Sequence, residues 1–135
     1  MPGNLLPRIA FVNHWAARLG GAEHSLIDII EYAAKKASVY LITSETGPLT
    51  ERAAAMNAQC IVIPCSPGVQ STRREHTVRS LLSHWKTAAA FFCYILRVAR
   101  FMRTTQPDYA HANVPKSHIT LLCASLLGYR GAIII

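Results

Sequence analysis

Gly20 and Gly21 stand where an apolar block meets a helical pattern, in "IAFVNHWAARLGGAEHSLIDII", with Glu23 two residues further on. Ordering two adjacent glycines costs backbone entropy. Two demands commonly account for such a pair: a tight turn with a positive φ angle, or the close approach of a ligand. The free N–H groups at a helix start make the second reading an anion site. The spacing is not G-x-G-x-x-G, and no G-K-S/T follows, so the dinucleotide fingerprint and the P-loop are both absent. Glu23, in the first helical turn, complements the helix dipole. Metal chemistry has less support. Cys60, Cys65, Cys93 and Cys123 form no C-x-x-C pair, and no Cys/His spacing fits zinc. They read as reduced, mostly buried thiols in a cytosolic setting, with no metal site.

The elements that would position the glycine pair follow from apolar periodicity. Short apolar blocks at Arg8–Asn13, Ser38–Thr43, Gln59–Pro64, Pro107–Asn113 and Gly131–Ile135 read as strands. Between the first two, Leu26, Ile29, Ile30, Ala33, Ala34 and Ala37 recur at helical spacing, opposite His24, Asp28, Glu31 and Lys35. "LTERAAAMN" reads as a short helix with Pro48 near its first turn. A long helical pattern runs from about Thr77 to Thr104, with Val78, Leu81, Leu82, Trp85, Ala89, Phe92, Leu96 and Ala99 as its apolar stripe. Pro115 opens a last helix and Gly128 closes it. Strands alternating with helices predict an α/β fold, a Rossmann-like doubly wound parallel sheet of about five strands with right-handed crossovers. In such sheets ligands bind beyond the carboxyl ends of the strands. That rule puts His14 and Trp15 on the ligand side, where Trp15 either stacks on a ligand or anchors its loop.

The same stretch resembles the opening of GT-B glycosyltransferases of the family-4-like, retaining group, whose amino-terminal domain starts with a strand and a Gly-Gly-Ala-Glu loop opening a helix. "PDYAHANVPKSHITLLCASLLGYRGAIII" is similar to a later part of that domain. Both motifs occur in order, and the resemblance covers nearly the whole chain. It implies that Gly20, Gly21 and Glu23 face the donor phosphates, and that Asp108, His111 and Asn113 match the fourth-strand motif on the acceptor side of the cleft, beside His14 and Trp15. His111 either hydrogen-bonds a sugar hydroxyl or phosphate or only orders its loop. Residues 1–135 would then be one lobe, the acceptor-side domain, incomplete at its carboxyl end. The donor lobe with its glutamate motif is lacking, as is the family's further active-site histidine after the fifth strand. The whole enzyme would pass a sugar from a nucleotide-sugar donor to an acceptor, such as a lipid-linked or envelope glycan, with no cofactor. The segment alone is expected to be inactive. The alternatives are a non-catalytic Rossmann-like nucleotide- or phosphate-binding module, or a gene remnant.

Lys and Arg number 14 against 7 acidic residues, a net charge of +7, which suits phosphates, nucleic acid or an acidic membrane. Arg73, Arg74, Arg79, Lys86, Arg97, Arg100 and Arg103 flank or lie on the long third helix, among Trp85, Phe91, Phe92, Tyr94 and Phe101. Cations among aromatics suit an acidic bilayer surface, with Arg97, Arg100 and Arg103 as the candidates. The alternative is a core helix with a solvated basic face. Nucleic acid is not expected, because the cations join no recognised motif. The start "MPGNLLPRIAFVNHW" has no basic region ahead of a long apolar run, so no secretory leader is expected. The longest apolar run, "AAAFFCYIL", is about half a membrane span. The expected location is cytoplasmic, at most at the inner membrane face.

Overall fold

The computed structural model describes residues 6–65 and 81–135. Its elements alternate as expected: β1 (Arg8–Val12), α1 (Gly21–Ala34), β2 (Ser38–Thr43), α2 (Pro48–Ala55), β3 (Gln59–Val62), α3 (Leu81–Thr105), β4 (Tyr109–Ala112), α4 (Pro115–Leu126) and β5 (Ala132–Ile134). The five strands form one parallel sheet in the order β3-β2-β1-β4-β5. Successive strands step outward from β1 to β3. The chain then crosses to the far side of β1 for β4 and β5. The direction therefore reverses between β1 and β4, which is where doubly wound sheets open a crevice at their carboxyl edge.

Both faces of the sheet are covered, and the period-2 alternation of the strands divides the core accordingly. Ala10, Val12, Ile42, Ala110 and Ala112 face α3 and α4, where they meet Tyr94, Val98, Met102, Leu121 and Ala124. Phe11, Val39 and Leu41 face α1 and α2, against Leu26, Ile27, Ile30, Leu49 and Ala53. The small residues of β1 and β4 let the helices approach the sheet closely.

Four expectations change. In α1 it is Ile27 that is buried, while Ile29 is exposed, because the buried stripe is centred one position away from the expected one. In α3 the buried residues are Tyr94, Ile95, Val98, Ala99 and Met102. Of the expected stripe, Ala99 is buried, but Trp85, Ala89, Phe92 and Leu96 face outward. The helix is apolar nearly all round, so periodicity did not settle which face meets the sheet. Val78, Leu81 and Leu82 lie outside the residues whose side chains are described, as do Pro67, Gly68, Arg73, Arg74 and Arg79. The thiols are less buried than expected: Cys93 is exposed and Cys60, Cys65 and Cys123 are half-buried. The fourth change is at Gly20 and Gly21, neither of which has the positive φ of a tight turn. Among the described residues no helix is long and apolar enough to cross a membrane, and no group of three His, Cys, Asp or Glu is placed to hold a metal.

Candidate functional site

The reversal point between β1 and β4 is marked by two asparagines. Asn13 follows the last residue of β1 and is buried; Asn113 follows the last residue of β4. The Asn113 side-chain amide donates to Asn13 Oδ1 at 3.1 Å and to the Ala22 carbonyl, in the first turn of α1, at 3.2 Å. Asn13 in turn donates to the Trp15 carbonyl, turning the chain as it leaves the strand. One side chain from β4 thereby fixes the end of β1 and the start of α1 relative to each other.

The glycine pair opens α1 at this point. Gly20 is extended (φ −100°, ψ −171°), and neither glycine has a positive φ. The tight-turn explanation is therefore removed. A Cβ on Gly20 would sit 3.0 Å from Glu23 Oε2, whereas one on Gly21 would meet nothing within 4 Å. The fold leaves open space beside Gly21, on a helix start whose first ladder bond is His24 N–H to the Gly20 carbonyl. The N–H groups of Gly21, Ala22 and Glu23 lie ahead of that ladder, and with the helix dipole they favour an anion. Glu23 is buried, and its carboxylate accepts the Gly20 N–H at 2.9 Å. It caps the helix, as well as placing a negative charge in the first turn.

The loop before this helix is held by the β2–α2 turn, a connection with no counterpart in the sequence reading. Ser44 donates its N–H and its hydroxyl to the His14 carbonyl. Glu45 Oε1 accepts the N–H groups of Ala16 and Ala17, each at 3.2 Å. At Gly47 a Cβ would lie 2.4 Å from the Ala16 carbonyl oxygen, so this glycine permits the two loops to touch.

His14 and Trp15 turn toward the α3–α4 side. His14 is 1% exposed, edge-on to Tyr94 at 5.2 Å and near Phe91 and Trp15. Among the described residues neither of its ring nitrogens has a hydrogen-bond partner, nor has the buried Tyr94 hydroxyl. Burial, then the Lys116 charge, lowers the His14 pKa to about 4, against a smaller opposing effect of Glu45. The imidazole is neutral at physiological pH and able both to donate and to accept. Burial also pushes the Tyr94 phenol well above its usual range. Lys116, from the first turn of α4, places its ammonium 5.3 Å from the centre of the Trp15 ring. A half-buried indole under a cation thus borders the crevice.

The remaining candidates are dispersed. His111 lies within β4 on the opposite face from Ala110 and Ala112, with its ring 5.7 Å from Phe11. Its Nδ1 is buried without a partner among the described residues, and its pKa is lowered by burial first and by His118 second. His118 is itself fixed by a 3.0 Å bond from Nε2 to the Ala112 carbonyl. Asp108 belongs to the other end of the sheet, where its carboxylate accepts the Arg8 N–H at 2.7 Å. Arg97, Arg100 and Arg103 are exposed on α3. The structure therefore brings Gly20, Gly21, Glu23 and Asn113 together and sets His14 with Trp15, while His111 and the arginines stand apart. Asn13, Lys116, Glu45 and Gly47 join the site without having been singled out in the sequence. Only the bond from the Asn13 amide to the Trp15 carbonyl is local in sequence.

No protein-family model matches the chain, and no curated protein matches it in sequence. Solved structures do. Anabaena Alr3699/HepE in complex with UDP-glucose superposes with a TM-score of 0.63 at 18% identity, covering 93% of this chain and 28% of that one. The same protein with UDP and glucose gives 0.61 at 19% identity, with the same coverage. A glycosyltransferase from Rickettsia africae ESF-5 gives 0.58 at 14% identity, covering 96% of this chain and 28% of its own. The chain thus spans about a quarter of the length of these proteins. What it shares with that part of a glycosyltransferase is a Rossmann-like α/β fold with a five-stranded parallel sheet.

Proposed function

We propose that this chain belongs to the amino-terminal, acceptor-side lobe of a GT-B, family-4-like retaining glycosyltransferase. The observation that carries the reading is the reversal point itself. There the free N–H groups of α1 stand beside an open glycine position, held in place by Asn113 and Asn13. Its likeness in fold to a protein in complex with UDP-glucose supports the same direction. The N–H groups at Gly21 and Ala22 would receive the donor diphosphate and stabilise the charge that develops on it as the sugar departs. His14, Trp15 and Lys116 would line the acceptor side, with the indole available to stack on a sugar face. Asn113 would act on that side through the backbone it holds. The sugar donor would be a nucleotide sugar, and a lipid-linked or envelope glycan the acceptor.

A donor bound mainly by a second lobe leaves this one with weak affinity. The expected outcome of a transfer assay with the purified chain and a panel of nucleotide sugars is no turnover. Calorimetric titration should give at best about millimolar binding, on the order of −4 kcal/mol, with UDP competing and uridine failing to compete. Turnover by this polypeptide, or micromolar binding, would overturn the single-lobe reading. Competition by uridine as strong as that by UDP would remove the phosphate from it.

A further inference from the structure

The outward surface of the α3–α4 layer carries apolar side chains in two parallel stripes. On α3, Trp85 is 62% exposed and Phe92 58%, with Ala89 and Leu96 completing the row. On α4, Ile119, Leu122 and Leu126 are exposed at the same three-to-four spacing, Leu126 by 80%. These rows lie opposite the buried stripes of their helices, Tyr94-Val98-Met102 and Ser117-Leu121-Ala124, so they point away from the sheet. A helix needs one apolar face to pack on a core, and these two helices have two each.

Charge distinguishes this layer further. Lys86, Arg97, Arg100 and Arg103 lie on α3 and Lys116 on α4, and neither helix contains an acidic residue within its described span. The acidic residues of the described helices sit on the other layer: Glu23, Asp28 and Glu31 on α1, and Glu51 on α2. Arg97, Arg100 and Arg103 are all exposed, and Arg100 and Arg103 continue the line of Trp85, Phe92 and Leu96 toward the carboxyl end of α3.

We infer that the α3–α4 face docks on an anionic lipid bilayer, with Trp85, Phe92, Leu96, Leu122 and Leu126 at the headgroup–acyl boundary and Lys86, Arg97, Arg100 and Arg103 on the lipid phosphates. A long amphipathic helix of this kind lies in the plane of the interface. Aromatic and aliphatic side chains supply apolar area and the cations supply attraction to anionic lipid. A second copy of this chain is a poorer occupant, since it would oppose one acid-free basic face with another. The inference is independent of the transferase reading. If both hold, the crevice lies at one edge of a membrane-bound layer.

The test is flotation of the whole chain with vesicles of phosphatidylcholine alone and of phosphatidylcholine with phosphatidylglycerol. Flotation is expected only with the anionic vesicles, and added salt should release the chain. Arg97→Glu/Arg100→Glu/Arg103→Glu should weaken partitioning by roughly 100-fold or more, since each surface cation contributes about fivefold. Phe92→Ser should weaken it too. Both variants alter exposed side chains, and unchanged circular dichroism and melting would show that the fold persists. Equal flotation with neutral vesicles, or none with anionic ones, would overturn the inference. So would a dimer dispersed by Phe92→Ser in a chain that ignores vesicles, which would assign the face to a second copy.

Discussion

Replacing Gly47 and Gly21 by alanine should have opposite consequences, because only one of them is tied to packing. A Cβ on Gly47 would lie 2.4 Å from the Ala16 carbonyl oxygen and 2.7 Å from Ala17 Cα. These are backbone atoms and cannot rotate aside. The Ala16 N–H is bound to Glu45 and its carbonyl accepts the Leu49 N–H at 3.3 Å. Relief requires the two loops to separate by about 1 Å, an overpacking cost of about 1–3 kcal/mol. Loss or stretching of the Leu49 bond adds about 1 kcal/mol. The stiffer unfolded chain returns about 0.5–1 kcal/mol. The net loss is about 1–3.5 kcal/mol, or a melting temperature lowered by roughly 4–12 °C for a domain of this size. Gly21→Ala meets no atom within 4 Å and sits in a helix, so its stability should be unchanged or raised by up to about 1 kcal/mol. Its affinity for UDP should nevertheless fall by roughly tenfold, as for an approach blocked by a methyl group. Urea and thermal denaturation of both variants, with titration of UDP into each, measures all of this. A Gly47→Ala protein as stable as the parent, or a Gly21→Ala protein that unfolds early and binds UDP normally, would refute the reasoning.

Other perturbations have defined outcomes. His14 has a folded pKa of about 4 against 6.5 unfolded, so its contribution is fully present above about pH 6.5 and is lost as pH falls toward 4. The shift is worth on the order of 3 kcal/mol at most, and His14→Phe should flatten the slope of unfolding free energy in that window; an unchanged slope would clear His14 of the role. Asn113→Ala should cost about 1–2 kcal/mol by orphaning the Asn13 and Ala22 oxygens, and Asn113→Asp should melt lower still, since it sets a carboxylate against two acceptors. Glu45→Ala removes two charge-assisted bonds to the Ala16 and Ala17 N–H groups and should cost about 1.5–3 kcal/mol, with Glu45→Gln recovering part of the loss in melting temperature.

The fold was legible because its signals are local. Ser38–Thr43 is β-branched and apolar on both faces, and β2 occupies those residues. Pro48 and Pro115 stand in the first turns of α2 and α4, where a missing N–H costs nothing. Helix faces were harder. The segment 88–102 offers apolar residues in every direction, and the choice between the Phe92 and Tyr94 faces is made by contact with the sheet, including β1 some eighty positions away. The site was half legible for the same reason. Gly20, Gly21 and His14 follow from a strand end and a helix start, and Asn113 from the family resemblance alone. Glu45 and Gly47 act on residues about thirty positions away, and Asn13 meets Asn113 at a separation of 100, which no local pattern encodes. The glycine pair shows the limit most plainly: its sequence suits a turn and a ligand equally, and the backbone angles removed the turn.

The central claim is that the start of α1, at the reversal between β1 and β4, receives the diphosphate of a nucleotide sugar. Amide-resolved magnetic resonance titration of the labelled chain with UDP-glucose tests it most directly. The account predicts saturable shifts at the amides of Gly20, Gly21, Ala22 and Glu23 and at the Asn113 side chain, reproduced by pyrophosphate and absent with uridine. Shifts confined to other elements, or a pattern that uridine reproduces in full, would contradict it.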